Sequence, residues 1–299
     1  KKFFSDKKCI LQNIKLKNNN LYNDCKSNII NEQFKKKLLN IKKINNASIN
    51  SKEIRKNDIF FGIKGSRLDG NRFANEAIKK GAALSIVDKN YGAKNKKKIK
   101  VKNALDFLTH SSELVRKVSN IKAIAITGST GKTSLKELLG KSLNRLKSTC
   151  YSRKSFNNKY GVPLTLFNIN KKNTFGIFEV GMNKKGEINN LTKLIKPDLG
   201  VITNISYAHI KNFKNLSEIA SAKSEIIDNI ITGGTIVLNK DDKYFNYFKK
   251  KALKKNLKII SFSKKKKANI RFIKIIKKKY KHELFLLINN KKIKFIIKE

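Results

Sequence analysis

Residues 121–146 read IKAIAITGSTGKTSLKELLGKSLNRL, and this stretch decides how the rest of the chain is read. Ile121 to Ile126 is an apolar run of the length of a buried strand. Thr127-Gly128-Ser129-Thr130-Gly131-Lys132-Thr133 follows without a break. Leu135, Leu138, Leu139 and Leu146 then fall near helical spacing and predict an amphipathic helix. Strand, glycine loop and helix, in that order, make a phosphate cradle. The glycines let backbone N–H groups turn inward, and the helix N-terminus favours negative charge. Lys132 is placed to reach the phosphates of a nucleotide such as ATP, and the Thr133 hydroxyl to hold Mg²⁺. The strict signature has a further glycine five residues before Gly131, where this chain has Ile126. The match is therefore to the shorter pattern G-x-x-G-K-T. A plain strand-to-helix turn that happens to contain GKT remains the alternative.

Upstream, residues 1 to about 45 are rich in Lys and Asn, with one short helix expected over Glu32–Leu39. Ile59–Ile63 and Ala83–Val87 read as strands, and Phe73, Ala77 and Ile78 share a helix face that ends at Gly81. Asn90–Lys100 reads as a charged loop, and Ala104–Val118 as a helix carrying Leu105, Leu108 and Val115 inward. These make a first α/β unit, residues 1–118, with a boundary at Ser119-Asn120. Downstream, strands are expected over Phe175–Val180, Leu199–Thr203, Thr235–Leu238 and Lys258–Phe262, with helices over Ile188–Ile195 and Leu216–Ile230. The alternation argues for a mostly parallel sheet in a second unit, residues 119–299. Past Ala268 the pattern changes to antiparallel strands, Ile270–Ile276, Leu284–Ile288 and Ile293–Ile297, turning at Asn289-Asn290. The fold class is α/β: a small N-terminal domain, then a P-loop domain with an antiparallel extension.

Composition narrows the function classes. No apolar run approaches a membrane span, and the basic start has no small-residue cleavage site, so neither membrane insertion nor secretion is expected. Cys9, Cys25 and Cys150 have no metal or redox spacing and fit a reducing cytoplasm. A net charge of +48 would ordinarily point to nucleic acid. Only seven of the 69 basic residues are Arg, however, and Lys is raised along the whole length. That fits a lysine-coated surface better than a base-reading one. No specific nucleic-acid partner is expected, and the cationic surface would steer anionic substrates inward.

Ligands of parallel sheets bind beyond the carboxyl ends of the strands. Glu179 ends one predicted strand, and Asn204 follows another, with His209 five residues later. All three fall on the side of the 127–133 loop, where a carboxylate and an imidazole would hold a divalent ion. A hydrogen-bonded strand-end Glu and a surface His are the plainer readings. Asn157 and Asn158 precede GVPLT at the start of a helix; they read either as ligand-binding amides or as an ordinary loop and cap.

Five stretches carry a wider resemblance: NDIFFGIKGSRLDGNRFANEAIKKGA, AIAITGSTGKTSLKELL, SFNNKYGVPLTLFNI, the segment from FGIFEVGMNKKGEINN through ASAKSEI, and GGTIVLNKDD. In this order, over residues 45 to 245, the chain resembles the Mur ligases, ATP-dependent enzymes that form peptide bonds in peptidoglycan precursors. The SFNN-x-x-GVPLT and E-V-G-M-N-x-x-GEI stretches look like the member that joins D-alanyl-D-alanine to UDP-N-acetylmuramoyl-tripeptide. The resemblance implies that Thr127, Gly128, Ser129, Thr130, Gly131, Lys132 and Thr133 bind ATP. It implies that Thr133, Glu179 and His209 serve Mg²⁺, and that Lys223 is a carbamylated lysine beside the metal. Lys132, His209 and Lys223 would be the catalytic set. Asn157 and Asn158 would face the UDP-sugar peptide, and Ser51, Lys64 and Asp69 would lie in the uridine-nucleotide site. Where the family often has Asp-Ser-Arg, this chain has Asn50-Ser51-Lys52. The expected mechanism is phosphorylation of a carboxylate by ATP, then attack of an amine on the acyl phosphate, in a cytoplasmic monomer.

The family continues with a G-x-H-N-x-x-N stretch that helps seat adenine and with a separate amine-binding domain, and neither is found before Glu299. The expectation is a truncated ligase with weak or no turnover. Another Mur-type or folylpolyglutamate-type amide ligase, and a basic nucleic-acid-binding NTPase, are the competing readings.

Overall fold

The computed structural model describes residues 44–91, 95–152, 154–207 and 212–298. The expected helix over Glu32–Leu39 lies outside them. The described residues form two compact units: one takes Tyr160–Thr174 together with the residues up to Ile121, the other Lys122–Lys159 and everything from Phe175 onward.

The first unit is built on a parallel sheet of β1 (Ala47–Ser48), β2 (Ile59–Phe61), β3 (Leu84–Asp88) and β4 (Lys98–Val101), in that order. β2 and β3 are buried almost throughout, as strands covered on both faces are. Period two sends neighbouring rings to opposite sides. Phe60 packs with Ile54, Ala74, Ala77, Ala82 and Val87. Phe61 meets Phe167 edge-on at 5.5 Å and Phe107 at 6.5 Å, measured between ring centroids. β4 corrects the sequence reading, which left its first three residues in a charged loop. Ile99 and Val101 are buried and pair with β3, and the lysines beside them, Lys98 and Lys100, hid the strand.

Phe167 closes the helix Gly161–Phe167, which the sequence reading placed in the second unit. Tertiary contacts place it in the first. Besides the Phe61 contact, the Asn168 side chain accepts the Ala47 N–H at 2.7 Å and donates to the Ala47 carbonyl at 3.0 Å. A carboxamide thus continues the ladder of edge strand β1.

The second unit holds β5 (Lys122–Thr127), β6 (Thr149–Tyr151), β7 (Phe175–Glu179), β8 (Leu199–Ile202), β9 (Thr235–Asn239), β10 (Lys258–Ser263), β11 (Ile270–Lys277), β12 (Lys281–Ile288) and β13 (Lys291–Lys298). They form one sheet in the order β13-β12-β11-β10-β9-β8-β5-β7-β6. It is parallel from β6 through to β11 and antiparallel across β11, β12 and β13, so the expected parallel sheet with an antiparallel extension is what the chain forms. The expected turn is also there: Asn289 and Asn290 both have positive φ, which Asn tolerates in a tight hairpin. β6 and the helix Phe245–Lys254 went unread in the sequence.

The helix Lys132–Leu146 follows β5 and covers the sheet, with only half of the predicted stripe facing it. Leu135, Leu139 and Leu143 pack on Ile126, Ile177 and Val201. Leu138 and Leu146 are 64% and 74% exposed. The inward face is completed instead by Gly140, pressed against the Tyr151 ring, and by the fully buried Lys136.

Candidate phosphate and cation site

Register brings the polar residues together. β5 lies between β7 and β8, with Ile126 opposite Glu179 and Thr127 opposite Ile202. The carboxyl ends of three strands therefore meet where the chain leaves β5 for the loop. The loop itself is braced from the end of β8. Thr203 Oγ1 donates to the Thr130 carbonyl at 2.7 Å, and the Ser129 N–H donates to the Asn204 carbonyl at 2.9 Å. Asn204 also touches Thr130 through its side chain, and the Ser129 hydroxyl and Ser206 backbone bond each other in both directions.

Gly128 is at φ +146°, and a Cβ there would lie 1.8 Å from Thr203 Oγ1, so only glycine fits. Gly131, at φ +80°, turns the chain into the helix. The N–H groups of the helix's first turn, at the end of the loop, have no partners one turn back. Lys132 Nζ donates to the carbonyls of Gly128 at 2.8 Å and Ser129 at 3.1 Å. Lys223 Nζ, buried on the helix Leu216–Asp228, donates to the same Gly128 carbonyl at 3.0 Å. Two amines converge on one oxygen. Burial lowers the Lys132 ammonium from its usual range, with Glu179 opposing the shift. Burial first, and Lys132 second, lower Lys223 to about 7. Excess positive charge beside a helix N-terminus suits a polyanion.

Glu179 is almost fully buried and bridges the loop to the segment after β6. Its Oε2 accepts the Thr133 hydroxyl at 2.8 Å and its Oε1 the Asn157 amide at 2.8 Å. Ser155 Oγ stands 3.3 Å from Thr133 Oγ1. Asn157 is also fixed by its backbone, whose carbonyl accepts the Gly181 N–H at 2.7 Å, while Asn158 beside it is exposed. Thr133 and Glu179 supply adjacent hard oxygen donors. Among the described residues no three His, Cys, Asp or Glu side chains cluster as a metal cage. Two protein oxygens completed by phosphate and water is nevertheless the way Mg²⁺ is ordinarily held beside nucleotides, so the donor set fits that ion. Lys223, as an amine, is a donor here and not a metal ligand. His209 lies outside the described residues. Thr127 Oγ1 is buried without a hydrogen-bond partner among them.

In the first unit the three expected nucleotide residues have local partners. Ser51 is buried and donates to Glu76 Oε2 at 3.1 Å. Asp69 caps the turn Gly70–Phe73 by accepting the Asn71 N–H at 3.0 Å, and it forms a backbone bridge with Lys64. Lys64 and Asp69 are thus neighbours, whereas Ser51 is held by another helix. The sequence reading missed Thr203, Ser155 and Lys136. Thr203 was findable, because it is the last residue of a strand expected to end beside the loop. Ser155 and Lys136 give no signal outside the folded chain.

Comparison with known proteins adds an independent line. The family profile described as Mur ligase middle domain matches residues 126–298, and that described as Mur ligase family, catalytic domain, matches residues 43–118. The UDP-N-acetylmuramoyl-tripeptide–D-alanyl-D-alanine ligase of Buchnera aphidicola subsp. Baizongia pistaciae is 38% identical over 224 residues, 75% of this chain and 48% of that one. The ligase of the same name from Rickettsia prowazekii is 39% identical over 216 residues, 72% and 47% of the two chains. A crystal structure of MurF from Acinetobacter baumannii superposes with a TM-score of 0.72 at 27% identity, covering 85% of this chain and 55% of that one. The chain spans about half the length of the relatives it matches.

Proposed function

The chain belongs to the Mur ligase family, and from that premise we propose that it serves the ATP-dependent joining of D-alanyl-D-alanine to UDP-N-acetylmuramoyl-tripeptide. The observation that carries this reading is the convergence of Lys132, Lys223, Thr133 and Glu179 on one glycine loop. The relatives' names support the choice of substrates.

The chemistry joins a carboxylate to an amine. A carboxylate oxygen attacks the γ-phosphorus, ADP departs, and the resulting acyl phosphate loses phosphate when the amine nitrogen attacks its carbonyl. The barrier to the first step is charge repulsion between two anions. Lys132 and the first-turn N–H groups would offset it by holding the phosphate oxygens where negative charge accumulates. Thr133 and Glu179 would hold Mg²⁺, which neutralises phosphate charge when bound. Asn157 keeps Glu179 aimed at Thr133 through its amide.

Lys223 is suited to carbamylation. With its amine lowered to about 7, a large fraction is unprotonated at neutral pH. The nitrogen lone pair would form a bond to CO₂ carbon and release a proton, leaving an anionic carbamate. That exchanges a repulsion toward Lys132 for an attraction and supplies a further oxygen donor beside the cation site. In the first unit, Lys64 and Asp69 would contribute to the uridine-nucleotide site, with Ser51 shaping it from behind. Asn158, exposed beside Asn157, would face the sugar peptide.

Calorimetric titration with UDP-N-acetylmuramoyl-tripeptide at about 0.15 M salt, where surface charge is largely screened, tests the substrate. Saturable binding that UMP competes away is expected. Binding to an oligonucleotide duplex but not to the UDP-sugar would overturn the reading.

A further inference from the structure

Lys136 lies one helical turn beyond Lys132, and its side chain is fully buried. An ammonium is tolerated there only if it is hydrogen-bonded and its charge is met. Its Nζ donates to the Lys154 carbonyl at 2.8 Å and reaches Ser152 Oγ at 3.4 Å, with Glu137 Oε1 at 3.1 Å. The Lys154 carbonyl is a hub: it also accepts the Ser152 hydroxyl at 2.9 Å and the Phe156 N–H at 2.7 Å. A second tight turn follows at once, with the Asn157 N–H on the Ser155 carbonyl at 2.9 Å. Lys154 and Ser155 are exposed and Phe156 and Asn157 only half-buried, so beyond the Gly181 bond to Asn157 the segment depends on its polar anchors. Yet it delivers Ser155 to Thr133 and Asn157 to Glu179, the two oxygen donors of the cation site.

We propose that Lys136 is a positioning residue for that site: it clamps the Lys154 carbonyl so that Ser155 and Asn157 hold Thr133 and Glu179 in cation-binding geometry. It acts entirely through the segment and touches neither nucleotide nor cation. The idea rests on the nucleotide reading above.

The test compares the full chain with its Lys136→Met variant in two readouts. Amide hydrogen exchange at Phe156 and Asn157 should speed up about tenfold or more, with β5 and β7 unchanged. The Mg²⁺ concentration needed to tighten ATP binding should rise about tenfold, while ATP affinity in EDTA stays within about twofold. Asn157→Ala should reproduce the Mg²⁺ shift, and the double variant should add nothing to it. Unchanged exchange, additive shifts, or equal losses with and without Mg²⁺ would overturn the proposal. If Lys136→Met does not fold, Ser152→Ala takes its place, with smaller changes in the same directions. Failure of the nucleotide reading has its own signature: no ATP binding by the parent chain, with exchange at Phe156 and Asn157 still deciding whether Lys136 anchors the segment.

Discussion

Glu179 and Glu283 are both carboxylates buried in the nine-stranded sheet, one at the carboxyl end of its parallel part and one in its antiparallel flank. Glu283 has resident cations: Lys278 at 2.8 Å and Lys294 at 3.8 Å, and the Lys278 hydrogen bond holds its carboxyl below the usual range. Glu179 instead takes its hydrogen bonds from a hydroxyl and an amide. Neutral donors orient a carboxylate without pairing its charge, and the nearby Lys132 amine bonds to the Gly128 and Ser129 carbonyls, so the proposed cation role of Glu179 fits its surroundings. The same contrast runs through the two regions. The parallel strands bury apolar side chains and gather charge at their ends, where ligands bind. The flank carries lysines along β13 and in β11 and at the start of β12, with Ile293, Phe295 and Ile297 of β13 at 37–45% exposure. Charge there serves solubility and edge protection.

The largest effect that would break this contrast is expected from Glu179→Gln. The gain in ATP affinity on adding Mg²⁺ should fall by up to about 100-fold, while the melting temperature changes little. Calorimetric titration beside a thermal melt measures both, and a Mg²⁺ gain that survives would place the cation elsewhere. Next come the loop glycines. Gly128→Ala forces a Cβ into Thr203 and should cost about 2 kcal/mol in chemical denaturation. Gly131→Ala meets nothing within 4 Å and should cost only its backbone strain, about 1 kcal/mol.

Lys223 sharpens the comparison through pH. Its amine titrates at about 7 in the folded chain and near 10.5 when unfolded. Between those values the unfolded chain binds more protons, so stability should rise with pH; the penalty is complete below 7 and relieved as pH approaches 10.5. Lys223→Met should remove that slope, being more stable than the parent at about pH 6 and losing the advantage by about pH 10 in denaturation series. The smallest effect is expected from Glu283→Gln. A lowered carboxyl contributes stability above its unfolded value of 4.5 and loses it as pH falls through the folded value. The variant should therefore melt slightly earlier at neutral pH, match the parent in acid or high salt, and bind ATP unchanged.

Much of this was legible in the sequence, for physical reasons. A glycine loop between an apolar run and a helix has few other uses, and parallel strands place Glu179 and Asn204 at its side. The lysines were not legible. Lys136 looks like any solvated lysine in so basic a chain, while Leu138 looks like core; the helix phase, fixed by packing on β5, β6 and β7, reverses them. The Gly161–Phe167 helix follows the loop segment in sequence but belongs to the first unit, because Phe61 and Ala47 recruit Phe167 and Asn168. Short edge strands such as β4 and β6 carry too few residues to show a period.

The most direct measurement is titration of the unmodified chain with ATP, in excess Mg²⁺ and again in EDTA. Tightening by about tenfold or more with Mg²⁺ is expected if Thr133 and Glu179 hold the cation against the phosphates. Equal affinity in both conditions, or no binding in either, would contradict it.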